Sequence, residues 1–285
     1  MYGLTIAFKD FDAGLGIMGS NFVGLAGFKA IMSDPDFWKA FRNTFMLAFY
    51  GLLFGFPFPI ILALLFSEVK NQAYRSILQI FSYLPKFVSL VVITTLVKLL
   101  VESGNVSSGF NGGIITQVLI NIGMISENAK LLGEPQYFRA VYQVSGIWEA
   151  AGYGSIVYFA AILSISPTSY EAARMDGASK MSQIRYVTFP GIASTLTIML
   201  ILEIGKLFTV GYEKVYLLYN NSIYETADIV ATYVMRSAGM VGSEVSSVLS
   251  KSIAASADLF NAIIAMLLVI GSNMIARKVS DTSLY

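Results

Sequence analysis

The feature that most limits this chain is the stretch from Phe45 to Phe66, which carries no charged residue. A helix needs about 20 consecutive apolar residues to cross the hydrocarbon core of a bilayer. Largely apolar runs with few charges follow at Ile77–Leu100, Tyr137–Ile165, Gly191–Val210 and Leu259–Ala276. Charged residues make up only 13% of the 285, where a soluble domain usually carries about a quarter. The sequence therefore reads as a polytopic, all-α membrane protein. We place spans at 41–67, 75–101, 137–165, 190–211 and 257–277.

Several function classes fall away on composition. There is no Cys and no His, which removes disulfide scaffolds, Cys/His zinc sites, thiol nucleophiles and His-based catalysis. A net charge of +1 gives nucleic-acid binding no electrostatic support. No Gly-x-x-x-x-Gly-Lys-Ser/Thr is present: Gly205-Lys206 lacks the upstream glycine and lies within an apolar run. The chain is thus not expected to bind or hydrolyse ATP.

Taken in order, residues 1–8 are apolar but too short to span, and residues 10–38 read as a loop with short helices. Gly51 and Gly55 permit close helix contact, and Pro57 and Pro59 should bend the span or shift its hydrogen bonds. Leu84-Pro85-Lys86 interrupts the second span, and a lysine there should face protein, a wet cavity or an interface. Residues 102–136 and 212–256 are polar connections, the first holding a short apolar stretch from Ile114 to Ile122 that reads as interfacial or re-entrant. Trp148, Glu149 and Tyr153 sit in the third span among glycines. Glu203 and Lys206 are three apart in the fourth, a spacing that shares one helix face.

Between the third and fourth spans lies a polar island. Thr168 and Glu171 have capping-box spacing, and Ser166-Pro167 offers a second helix start. Gly177 can end that helix in a left-handed turn, with a second helical stretch from about Ser179. Glu171-Ala172-Ala173, Gly177 and Pro190, with Val187 and Phe189 between, resemble the EAA loop of membrane subunits of binding-protein-dependent ABC importers. Val187 and Phe189 stand where that pattern has Ile and Leu. A second likeness narrows the subgroup. Tyr212–Asn220 and Tyr224–Val234 resemble the outer segment of carbohydrate permeases, nearest to importers of oligosaccharides and polysaccharide fragments of the alginate type; Tyr2-Gly3 with Ile6–Lys9 agrees.

The resemblance implies a type I ABC importer transmembrane domain with five to six membrane-spanning helices. Residues 1–8 would be the end of a first span that begins upstream of Met1. Residues 166–189 would be the cytoplasmic coupling loop, and 102–136 and 212–256 would be extracytoplasmic. Basic residues are denser in the loops placed inside, including Arg174, Lys180, Arg185, Arg277 and Lys278. The chain would then lie in a bacterial cytoplasmic (inner) membrane. It would work with a second, distinct permease subunit, two ATPase subunits that hold ATP and Mg, and an extracytoplasmic solute-binding protein, and would bind no cofactor itself. In the coupling loop the resemblance singles out Glu171, Ala172, Ala173, Arg174, Asp176, Gly177, Ala178 and Lys180. Glu171 is expected in the first helical turn, where its charge suits the helix dipole. For the solute path it points to Trp148, Glu149, Ala150 and Tyr153 before the loop, and Glu203, Lys206 and Val210 after it. A non-sugar importer, an ion-coupled secondary transporter and an intramembrane enzyme are the competing readings.

Overall fold

The computed structural model describes residues 2–12, 14–104, 112–207, 211–238 and 250–279. After a 3₁₀ segment (Tyr2–Phe8), strands β1 (Lys9–Asp10) and β2 (Asn21–Phe22) pair antiparallel around α1 (Gly16–Gly19). Then come α2 (Ala26–Ser33), α3 (Pro35–Tyr50), α4 (Pro57–Glu68), α5 (Gln72–Tyr83), α6 (Leu90–Val101) and α7 (Ile114–Asn121). The second half holds α8 (Pro135–Leu163), α9 (Pro167–Met175), α10 (Lys180–Gln183), α11 (Phe189–Gly191) and α12 (Ala193–Gly205). It continues with α13 (Tyr212–Leu218), α14 (Tyr224–Ala227), α15 (Val230–Ser237) and α16 (Ser250–Val279).

Among the described residues, three helices are long and apolar enough to cross a membrane: Pro35–Glu68, Pro135–Leu163 and Lys251–Met274. Two bent pairs raise that to five if each pair is one span. The first helix starts at Pro35, well before the expected boundary. Asp34 caps it, its Oδ1 accepting from the Asp36 N–H at 2.9 Å, and Pro35 suits the first helical position. The helix carries a π-turn at Gly51–Gly55 just before Pro57, with the Phe56 N–H bonded to the Gly51 carbonyl. Shifting the ladder by one residue accommodates prolines that cannot donate.

The interruption expected at Leu84-Pro85-Lys86, within the span placed at 75–101, is present as a sharp bend. Helices α5 and α6 meet at 102°, through a 3₁₀ turn at Leu84–Phe87. Pro85 lacks the amide hydrogen a straight ladder would need there. A second bend, of 68°, separates Lys180–Gly191 from Ala193–Gly205.

The chain divides into two compact units. The first comprises residues 1–49, 94–142 and 206–267. Its core gathers Ile31, Phe37, Ala40, Val230, Tyr233 and Ala257. Phe37 meets Tyr233 and Phe260 edge-on at 5.6 and 5.7 Å, an arrangement favoured by ring quadrupoles. The segment Tyr224–Val234 packs into this core: Ala227, Asp228, Ile229, Val230, Thr232 and Tyr233 are buried. Asn43 on α3 donates to the Glu225 and Asp228 carbonyls at 2.9 Å each, while Arg139 on α8 donates to its Oδ1 at 2.9 Å.

The second unit comprises residues 50–93, 143–205 and 268–285. Its core gathers Ile60, Ala63, Tyr158, Ile162 and Ile192. Helices α5 and α8 touch backbone to backbone at Gly152, where any Cβ would overlap the Ser82 carbonyl.

Candidate functional site

Two features of the second unit form the candidate site: a projecting knuckle and, further up α8, a hollow beside Trp148.

The knuckle begins at Ser166-Pro167 and not at Thr168. Pro167 takes the first helical position, and Thr168 spends its hydroxyl on Ser166 at 2.7 Å. Glu171 consequently falls in the second turn of α9, which corrects its expected place in the first. The helix ends as a Schellman motif. The Ala178 N–H bonds the Ala173 carbonyl at 2.9 Å and the Gly177 N–H bonds the Arg174 carbonyl at 3.1 Å. Gly177 has φ +78°, and nothing lies within 4 Å of where its Cβ would stand. Backbone conformation, and not space, asks for glycine.

Ser179 then caps α10, accepting from the Ser182 N–H at 3.3 Å. The fold-back is fastened by Gln183, which donates to the Ala178 carbonyl at 3.0 Å, and by the Tyr170–Thr188 hydroxyl pair at 3.0 Å. Lys180 reaches Glu68, at the end of α4, at 2.6 Å. Glu68, Tyr170, Gln183 and Thr188 were not singled out by the sequence, because each contact joins residues that no local spacing links.

Glu171, Ala172, Arg174, Asp176, Gly177 and Lys180 are exposed, while Ala173 and Ala178 are half-buried. Large apolar side chains project beside these charges: Met175 is 84% exposed, Met181 72% and Tyr186 68%. A knuckle folded this tightly gains nothing by presenting methionines to water. Exposed apolar groups rimmed by charge mark a docking surface.

Above the knuckle, α8 brings Trp148, Glu149, Ala150 and Tyr153 together. Trp148 lines a hollow of about 520 Å³ with Phe58, Phe81, Ser82, Pro85 and Gly152. Glu149 accepts from Lys86 at 3.2 Å, so the lysine in the bend of α5 and α6 finds its countercharge inside the unit. Tyr153 stands edge-on to Phe87 at 5.8 Å, and Ala150 is exposed. Glu203 lies in the last turn of α12. Lys206 lies one residue beyond its end at Gly205. Gly205 packs against Val269, with room for no Cβ (2.8 Å). Val210 lies outside the described residues.

With this geometry in hand, the chain can be set beside known proteins. Residues 55–280 match the model of the binding-protein-dependent transport system inner membrane component family. The chain belongs to that family. It is a permease subunit of an ABC importer, embedded in the inner membrane and dependent on a binding protein. This permease is 36% identical over 287 residues to Protein LplB of Bacillus subtilis (strain 168), covering 100% of the chain and 85% of that protein. It is 35% identical over 285 residues to the polygalacturonan/rhamnogalacturonan transport system permease protein YteP of the same organism, covering 100% of the chain and 84% of YteP. Its fold matches a crystal structure of a bacterial ABC transporter involved in the import of the acidic polysaccharide alginate. The TM-score is 0.83 at 36% identity, over 98% of this chain and 88% of that one. A crystal structure of the bacterial alginate ABC transporter in complex with an alginate pentasaccharide-bound periplasmic protein matches at TM-score 0.84 and 35% identity. It covers 99% of this chain and 88% of that one.

Proposed function

We propose that this permease forms half of the path for an oligosaccharide or polysaccharide fragment, delivered by an extracytoplasmic binding protein and driven by ATPase subunits that grip the knuckle. The sugar reading is supported by the relatives named for polygalacturonan/rhamnogalacturonan transport and for alginate import. The motor reading is supported above all by one observation: the folded-back pair α9 and α10 presents two bare methionines, Met175 and Met181, between charges. ATP and Mg belong to the partner subunits; this chain holds no cofactor. A second, distinct permease subunit completes the path.

The mechanism follows from how the knuckle is tied to α8. From Glu149 to Leu163, α8 is unbroken and about 21 Å long, at 1.5 Å per residue. It passes into α9 through only Ser164, Ile165 and Ser166. Ile165 packs against Gly191, where a Cβ would come within 2.7 Å, and the Tyr170–Thr188 bond joins α9 to the segment before α11. A pull on α9 therefore moves both strands of the loop as one body. Because α8 is a rigid rod, the pull reaches Trp148, Glu149 and Tyr153. Nucleotide closes the ATPases and loaded binding protein favours the outward state, so the two ligands bias one two-state element.

The solute path runs past Trp148, Glu149, Ala150 and Tyr153, with Glu203, Lys206 and Val210 as the further candidates that follow the loop in sequence. Aromatic faces suit the C–H faces of sugar rings, and the Lys86–Glu149 pair offers a donor and an acceptor to hydroxyls without net charge. The test is uptake by proteoliposomes holding the whole importer. Tyr153→Ala should lower oligosaccharide uptake while ATP hydrolysis stimulated by loaded binding protein persists. Unchanged uptake kinetics would remove Tyr153 from the path.

A further inference from the structure

The first unit holds a feature the path above does not use. On the connection after α12, Tyr216, Tyr219 and Tyr224 frame a hollow of about 270 Å³, closed by Asn221, Thr232 and Arg236. Successive ring centroids are 6.1 and 6.2 Å apart, with planes tilted by 42° and 45°. The rings thus splay along the wall and do not stack on each other. Helix α13 buries Val215 and Leu218 and turns Tyr216, 45% exposed, to the outside.

The floor is built and rigid. Arg236 forks onto the fully buried Asp228 at 3.0 and 3.1 Å, and Thr232 donates to the same carboxylate at 2.8 Å. The guanidinium lies 4.8 Å from the centre of the Tyr224 ring and covers it. Tyr216 and Tyr219 are left to offer ring faces, with Asn221 exposed at the rim. Because Asp228 offsets Arg236, the floor carries no net charge to select an acid.

We infer that this hollow is an outer saccharide subsite that holds one sugar ring by its C–H face, irrespective of whether the ring is acidic. The inference rests on the sugar reading above and extends it to a place remote from Trp148 in sequence and unit. The volume supports one ring: sites for larger ligands usually enclose roughly 300–1,000 Å³. Two tilted aromatic faces with polar groups at the rim and floor give a pyranose both its apolar and its hydroxyl contacts. Capturing one ring outside the membrane would orient a chain-like solute end-on before it enters.

The test uses the complete importer in lipid nanodiscs, first without binding protein. Equilibrium binding is measured with alginate pentasaccharide and with a neutral galactan pentasaccharide, and proteoliposome uptake is measured in parallel. Tyr219→Ala should weaken binding of both sugars by about two- to tenfold, the range of one aromatic contact. Tyr219→Phe, which keeps the face, should stay near the unaltered complex, and Asn221→Ala at the exposed rim should weaken binding without affecting assembly. Equal binding by all three variants would overturn the subsite. So would a loss seen only as weaker docking of the binding protein. If the unaltered complex neither binds nor imports any oligosaccharide, both this inference and the sugar reading fall. Normal uptake with unchanged binding in Tyr219→Ala sinks only the subsite.

Discussion

Gly177 carries the sharpest single-residue expectation. Its φ of +78° with open space around the missing Cβ means that Gly177→Ala is opposed only by backbone conformation, about 1–2 kcal/mol. Gly177→Asp adds a charge to the face offered to the motor. It should abolish uptake while leaving the protein in the membrane, measured by uptake against membrane abundance. Lys180 and Glu68 behave differently. Both are well exposed, and such pairs contribute about 0–1 kcal/mol, so Glu68→Gln should leave abundance unchanged. At this scale the sequence was legible where spacing carries geometry: glycine at the helix end and serine at the next cap can be seen in the letters. The position of Glu171 was not, because two start signals two residues apart compete and Pro167 wins by its fixed φ. The Lys86–Glu149 pair joins residues 63 apart, which no local pattern reveals.

Elements were legible where hydrophobic runs set them and misjudged where punctuation did. The π-turn before Pro57 follows from the need to spare a missing donor. The early start at Pro35 was hidden because Asp34-Pro35 reads equally as a loop. The buried core of Tyr224–Val234 was hidden because its partners, Asn43 and Thr44, lie far away in the chain. Two expectations belong to this scale. Gly152→Leu should separate α5 from α8 by clashing with the Ser82 carbonyl, a cost of at least about 1–3 kcal/mol, and should lower the thermal midpoint of the purified complex. Asp228→Ala should strand the mostly buried Arg236, at about 3 kcal/mol, less whatever water reaches its quarter-exposed side chain. The same segment should respond to alkali. Burial holds the Tyr224 and Tyr233 phenols well above their ordinary value of 10, with Asp228 and Asp34 respectively adding to it. The native state then keeps protons that the unfolded chain loses, so stability is present below pH 10 and falls as pH rises beyond it. Replacing both tyrosines by Phe should flatten that fall in a pH series of thermal melts.

At the scale of the molecule, polar networks stand out in an otherwise apolar chain. The second unit holds the knuckle with the Trp148 hollow, and the first holds the Asp228–Arg236 floor with its tyrosine wall. Apolar periodicity announces a membrane protein without effort, and the loop spacing announces its family. Neither can announce which residues meet, since a bilayer-spanning helix is apolar on every face and its sequence does not mark the side that packs. We propose that an ATP-hydrolysing partner grips the knuckle from the cytosol. The chain has no native cysteine, so Met175→Cys supplies one reactive thiol at an 84% exposed position. Cross-linking through that thiol in the assembled importer should yield an adduct with the ATPase subunit, and block uptake in step with adduct formation. Labelling of the thiol by a membrane-impermeant reagent from outside intact cells, with no ATPase adduct, would contradict it.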